Sequence, residues 1–191
     1  MTQLTTRFDE ALIYARAAHD GHKRKGTEIP YFAHLMSVAA LTMEAGGSKD
    51  QAIAALLHDA VEDQGGLPRL DDIRMRFGEA VADIVHACTD SHVEPKPDWK
   101  PRKEAYLEGM AAKSADALLV SLADKTHNAE AILADFRHMG DALFDRFTGR
   151  KEGTLWYYGA LSEVFTRRIP GPAADRLARA VKALQTEAGT N

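Results

Sequence analysis

Ala52-Ile53-Ala54-Ala55-Leu56-Leu57-His58-Asp59-Ala60-Val61-Glu62-Asp63 is the stretch on which the fold of this chain turns. Six apolar residues without a polar break make a buried helix, and the run is far short of the ~20 residues a membrane span needs. His58, Asp59, Glu62 and Asp63 follow directly. A carboxylate buried without a counter-charge costs several kcal/mol, so His58-Asp59 at the inner end of such a helix calls for a cationic partner. The i,i+4 spacing sets Glu62 beside His58 and Asp63 beside Asp59. A solvated acidic helix end explains this poorly, because acids near a helix C-terminus oppose the macrodipole.

On both sides the apolar residues recur at three and four. Phe8, Leu12, Ala15 and Ala18 form one stripe; Leu35, Val38, Ala39 and Met43 form a second that ends at Gly46-Gly47. Ser48 or Asp50 starts the helix that runs into His58-Asp59. Gly65-Gly66-Leu67-Pro68 predicts a break, with helices over 70–77 and 79–89 after it. Asp90, Ser91, Pro95, Pro97 and Pro101 predict a long polar loop over 90–102. Helices are expected again over 103–112, 116–133, 142–147, 154–168 and 173–187. No stretch alternates with a strand's period. The expectation is an all-α, single-domain helical bundle covering 1–191, with a core over about 6–168 and a C-terminal helix over 173–187.

Twenty-four basic against 28 acidic side chains give a formal charge of −4 across 191 residues. That balance argues against a broad grip on nucleic acid or anionic lipid. The single cysteine, Cys88, has no partner within the chain for a disulfide, which suits a reducing compartment. A cytoplasmic protein with neither nucleic-acid nor membrane partners is expected, its oligomeric state left open.

Two other segments set a polar ligand type against an apolar run. Asp124 closes Ala117-Leu-Leu-Val-Ser-Leu-Ala123, with Asn128 one turn beyond it, and His34 lies near the start of the helix after Pro30. A lone histidine there is more often a core residue. With His58, Asp59 and Asp124 it completes a mixed imidazole–carboxylate set from three helices, suited to Mn²⁺, Fe²⁺, Zn²⁺ or Mg²⁺ rather than soft metals. His19-Asp20-Gly21 reads as an ordinary helix end.

The set, together with His19-Asp-Gly-His22-Lys-Arg24-Lys25, Pro30-Tyr31-Phe-Ala-His34, HDAVED over 58–63, LADKTHN over 122–128 and, more weakly, Thr154-Leu-Trp-Tyr-Tyr158, resembles the HD phosphohydrolase superfamily. Within it, the pattern over roughly 8–165 is similar to the hydrolase domain of the Rel/SpoT alarmone enzymes and their small stand-alone relatives. The resemblance implies that His34, His58, Asp59 and Asp124 hold Mn²⁺ and that Glu62 and Asp63 position or activate the attacking water. It also implies that Arg24 and Lys25 face base and phosphates and that Asn128 contacts the nucleotide. Tyr158 and Lys151 are further substrate-contact candidates. The implied activity removes the 3′-pyrophosphate of (p)ppGpp, giving GDP or GTP and pyrophosphate.

The chain departs from the family pattern at His22 (commonly Gln), Leu35 (commonly Pro) and Thr126 (commonly Leu or Tyr). The first of these bears on the choice of guanine over adenine. The alternatives are the same chemistry on (p)ppApp or on the 2′-phosphate of NADPH, a general HD nucleotidase or phosphodiesterase, and a non-catalytic nucleotide-binding domain. A further expectation makes 90–102 a lid over the substrate.

Overall fold

The computed structural model describes residues 3–90 and 98–189, and the described residues are helical throughout apart from connections and one isolated antiparallel bridge, Lys23 with Pro30. In chain order the α-helices are α1 (Thr6–Ala18), α2 (Tyr31–Glu44), α3 (Lys49–Leu57), α4 (Ala60–Asp63), α5 (Gly66–Phe77), α6 (Glu79–Cys88), α7 (Trp99–Gly109), α8 (Ala115–Met139), α9 (Arg150–Arg168) and α10 (Pro172–Gly189). The all-α expectation holds. None of the described helices is long and apolar enough to cross a membrane.

Helix α3 is the axis of the N-terminal half. Ser48 caps it reciprocally: its Oγ accepts from the Gln51 N–H at 3.2 Å, while its own N–H donates to Gln51 Oε1 at 2.7 Å. Every residue from Gln51 to His58 is buried, as the unbroken apolar run requires. Around it α1, α2, α5 and α6 contribute Phe8, Ala15, Leu35, Val38, Ile73, Phe77, Val81 and Val85 to one apolar cluster. A second cluster joins α7, α9 and α10, with Tyr106, Leu161, Phe165, Leu177 and Leu184 at its heart. Helix α8 serves both: Ala117, Val120 and Ala123 belong to the first, Leu118, Leu122, Ala129 and Ile132 to the second. Its cap is Ser114, whose Oγ accepts from the Ala117 N–H at 3.2 Å.

Several boundaries differ from expectation. Helix α7 begins at Trp99, inside the predicted loop, because Pro101 is its third residue and first-turn N–H groups have no intrahelical partner to lose. Pro68 is likewise the third residue of α5, so the predicted break at 65–68 shrinks to Gly65, which takes φ +135°. Helix α8 runs six residues beyond 133, to Met139. The segment predicted as a helix over 142–147 is a 3₁₀ turn, Gly140–Arg146. The lid expectation falls mainly on 91–97, outside the described residues.

Candidate metal and active site

The decisive local event is the interruption between α3 and α4. Neighbouring residues on an unbroken helix point about 100° apart, so His58 and Asp59 would diverge. The helix stops at Leu57, His58 and Asp59 form a turn, and α4 resumes at Ala60 with the Asp63 N–H bonded to Asp59 O at 3.0 Å. His58 Nε2 and Asp59 Oδ2 thereby come within 2.9 Å. Helix α2 brings His34 Nε2 to 3.6 Å from the same carboxylate oxygen, and α8 brings Asp124 Oδ1 to 3.2 Å from His34 Nε2 and 3.6 Å from His58 Nε2. The four residues predicted as ligands gather around the two imidazoles, with Asp59 on one side and Asp124 in contact with both rings.

Their donors fit a cation. Donor atoms of His34, His58 and Asp59 all lie within 4.8 Å of one another, and ligands at ~2.1 Å from one ion sit about 3–4 Å apart. Both Nε2 atoms are buried and lack a hydrogen-bond partner. The other nitrogen of each ring is occupied: His58 Nδ1 donates to Ala55 O at 2.8 Å, and His34 Nδ1 lies 2.8 Å from His127 Nδ1. With His58 Nδ1 carrying the proton, the Nε2 lone pair points at carboxylate oxygens, an arrangement that needs positive charge between them. Burial alone would lower the His58 pKa, but Asp59 and Asp124 together raise it well above the ordinary value. A cation held by these residues would supply the positive charge that this proton otherwise provides.

The carboxylates are held from behind. Lys125 Nζ donates to Asp124 Oδ2 at 2.6 Å and Asn128 Nδ2 to Oδ1 at 2.5 Å. Burial would push the Asp124 carboxyl upward, but Lys125 and the two imidazoles hold it well below the usual range. Tyr31 donates its hydroxyl to Asp59 Oδ2 at 2.5 Å, and its ring stacks on His22 and His19 with centroids 4.2 and 5.1 Å away. His19 caps the C-terminal end of α1, as the helix-end reading has it, but it is 3% exposed and packed behind Tyr31. Burial, chiefly, lowers the pKa of His19 and of His127 to about 4. A neutral His127 can accept a hydrogen bond at Nδ1 from His34 Nδ1, the pairing that would leave His34 Nε2 free for a ligand.

Other predicted residues are distributed around this centre. Glu62 Oε2 accepts the Asp90 N–H at 3.0 Å, and Asp63 is exposed on α4, close enough for its charge to raise the Tyr31 pKa. Arg24 is half-buried and its charge reaches both His127 and Tyr158, which puts it at the rim, while Lys25 is exposed at the tip of the same turn. Tyr158 is buried on α9 within reach of Lys125, Asp124 and Arg24. The Asn128 amide is engaged with Asp124. Lys151 bonds the Asp141 carboxylate at 2.9 and 3.0 Å, a partner outside the cluster. Tyr31, His127 and Lys125 are the residues sequence reasoning left without a role. Beyond them, Asp90 Oδ2 accepts from Arg102 and, at 2.7 Å, from Lys103, whose pKa is lowered by burial first and by Lys125 next. A cavity of about 610 Å³ lies on the opposite face of α8, lined by Leu41, Leu119, Leu122, Ala123, Ile169 and Pro170, away from this chemistry.

A family model described as HD domain matches residues 11–153, most of the chain. The chain belongs to the HD domain family. Among HD relatives, the guanosine-3′,5′-bis(diphosphate) 3′-pyrophosphohydrolase MESH1 of Xenopus tropicalis is 38% identical over 122 residues, which are 62% of this chain and 65% of that protein. The bifunctional (p)ppGpp synthase/hydrolase SpoT of Escherichia coli K12 is 31% identical over 132 residues, 66% of this chain and 18% of SpoT. The chain thus spans somewhat under two thirds of the first of these relatives and about a fifth of the second. The solved structure of a metazoan SpoT orthologue that hydrolyses ppGpp superimposes with a TM-score of 0.76 at 26% identity, over the full length of both chains. A Listeria monocytogenes EGD-e protein aligns with a TM-score of 0.68 at 28% identity over 83% of this HD chain and 99% of its own.

Proposed function

We propose that this protein is a Mn²⁺-dependent hydrolase that removes the 3′-pyrophosphate of (p)ppGpp-type nucleotides, with 1–191 acting as one hydrolase domain. The observation that carries the proposal is the convergence of the buried Nε2 atoms of His34 and His58 on the Asp59 and Asp124 carboxylates. Imidazole and carboxylate without thiolate suit Mn²⁺ among the harder divalent ions. The relatives named for this reaction, and the rim turn with Arg24 and Lys25, support the nucleotide. The lone Cys88 suits a cytoplasmic setting.

In the reaction a water oxygen bonds to the phosphorus on the 3′-oxygen, the O3′–P bond breaks, and the leaving oxygen takes up a proton. A bound divalent ion supplies Lewis acidity and a lowered water pKa. Glu62 and Asp63, three and four residues beyond Asp59, serve as the proton-transferring carboxylates. Arg24 and Lys25 offset the phosphate charge, and only Arg24 can also stack on a purine. Lys125 and Asn128 keep Asp124 aimed at the centre, and Tyr158 closes the wall beside them.

The test is a nucleotide panel with Mn²⁺, resolved by chromatography: ppGpp, pppGpp, ppApp, NADPH and nucleoside monophosphates. Release of GDP and pyrophosphate from ppGpp, absent in Asp124→Ala, is expected. Turnover of the adenine compound or of NADPH with ppGpp untouched overturns the substrate; no turnover and no bound metal overturns the enzyme.

A further inference from the structure

Gly26 sits at the bend of the turn that carries Arg24 and Lys25, with φ +72°. One side chain lies over it. A Cβ on Gly26 would lie 2.7 Å from Cδ and 2.8 Å from Nε of Arg146, a residue 120 positions away at the end of the Gly140–Arg146 turn. The far end of that side chain is tethered on α8: Arg146 Nη1 donates to Asp135 Oδ2 at 2.8 Å, and Nη2 lies 2.8 Å from Met139 Sδ. The turn has bonds of its own. The Arg24 N–H reaches Ile29 O at 2.9 Å, and Arg24 O accepts from the Thr27 N–H and hydroxyl at 3.0 Å each. These fix the turn's shape, but none of them joins it to the C-terminal half, where His127 and Tyr158 stand.

We propose that Arg146 is a positioning residue for substrate: its stem lies across Gly26 and clamps the Arg24-Lys25 turn against α8, so that both cations are held at the rim of the metal centre. This rests on the proposed role of that turn in binding the nucleotide. A side chain 20% exposed and fixed at its tip by a carboxylate orders the turn before substrate arrives, and preorganised contacts of that kind strengthen binding without touching the reacting atoms. The left-handed φ favours glycine at this position, and any side chain there would have to push the Arg146 stem aside.

The experiment has a kinetic arm and one that needs no turnover. Arg146→Ala is expected to raise KM for ppGpp about tenfold with kcat within about twofold, the pattern of lost binding rather than lost chemistry. Arg146→Lys keeps a stem over Gly26 and one donor for Asp135, and recovers most of the loss. Gly26→Ala also raises KM, and by less in the Arg146→Ala background, where the colliding atoms are gone. In parallel, tryptic cleavage after Arg24 and Lys25, followed by mass spectrometry, accelerates severalfold in Arg146→Ala while the melting temperature moves little. Unchanged KM and unchanged cleavage at 24–25, or a fall in kcat alone, overturns the clamp. If the wild type leaves ppGpp intact, the substrate proposal fails and the cleavage rates still decide the clamp.

Discussion

One oxygen on Tyr31 controls how Asp59 faces the centre. Tyr31→Phe removes the 2.5 Å donor from Asp59 Oδ2 and leaves the ring stack with His19 and His22 intact. Loss of such an outer partner typically costs 10–100-fold in metal affinity, and a chelator-competition titration with Mn²⁺ should find a loss of about that size in a folded variant. The histidines behind the site make a pH prediction. His19 and His127 stay neutral in the fold, with pKa values of about 4, because burial disfavours their charge. The unfolded chain, with histidines near 6.5, binds protons between pH 6.5 and 4 that the folded chain does not, so their contribution to stability falls as the pH drops through that window. His58 acts oppositely in metal-free protein: its raised pKa adds stability below 6.5 that is lost as the pH climbs through the folded value. Urea midpoints at pH 7 and pH 5 in EDTA should therefore show a smaller acid loss for His19→Gln than for wild type. Sequence alone exposes His34, His58, Asp59 and Asp124, because each is a ligand type set against an apolar run. It hides Tyr31, His127 and Lys125, since an aromatic or a charge beside such a residue reads as packing or surface until three helices are brought together.

Between elements, the contact of α7 with α9 is set by size. The Trp99 indole lies over Gly149 and Gly153, where added Cβ atoms would stand 2.6 and 3.0 Å from the ring. Gly149→Ala is expected to cost about 1–3 kcal/mol by overpacking, visible as a lowered melting temperature and a blue- or red-shifted Trp emission. Gly109→Ala gives the opposite sign: φ is −61°, nothing lies within 4 Å of its Cβ position, and stiffening the unfolded chain should add about 0.4–1 kcal/mol. Helix identity was legible from the three-and-four periodicity, and so were the starts of α3 at its Ser48 cap and of α6 at Glu79, but the starts of α5 and α7, which carry a proline in the first turn, were not. Pro68 and Pro101 look like breakers in a string of letters, but each occupies a first turn, where a missing N–H costs nothing. The interruption at His58-Asp59 is equally silent, because HDAVED satisfies helical spacing whether or not the helix continues.

For the molecule as a whole, a cation bound only by the folded state stabilises by mass action, about 2.7 kcal/mol at a hundredfold excess over Kd. Mn²⁺ should raise the melting temperature of the wild type and leave that of Asp124→Asn unmoved, as differential scanning calorimetry with and without metal would record. Metal uptake should also strengthen with rising pH, since the imidazoles must give up protons to bind. Helix α8 gives this coupling its reach. The stretch up to Asp90 holds His34, His58 and Asp59, but the wall that completes its own apolar cluster, Ala117, Val120 and Ala123, arrives only with α8, as does Asp124. Cut between 90 and 98, the chain should yield no portable binding module: the first fragment would lack part of its core and a donor, the second would hold a lone carboxylate. Ion loading is then a quality check on the entire polypeptide, since a copy with either half melted has nowhere to put the metal.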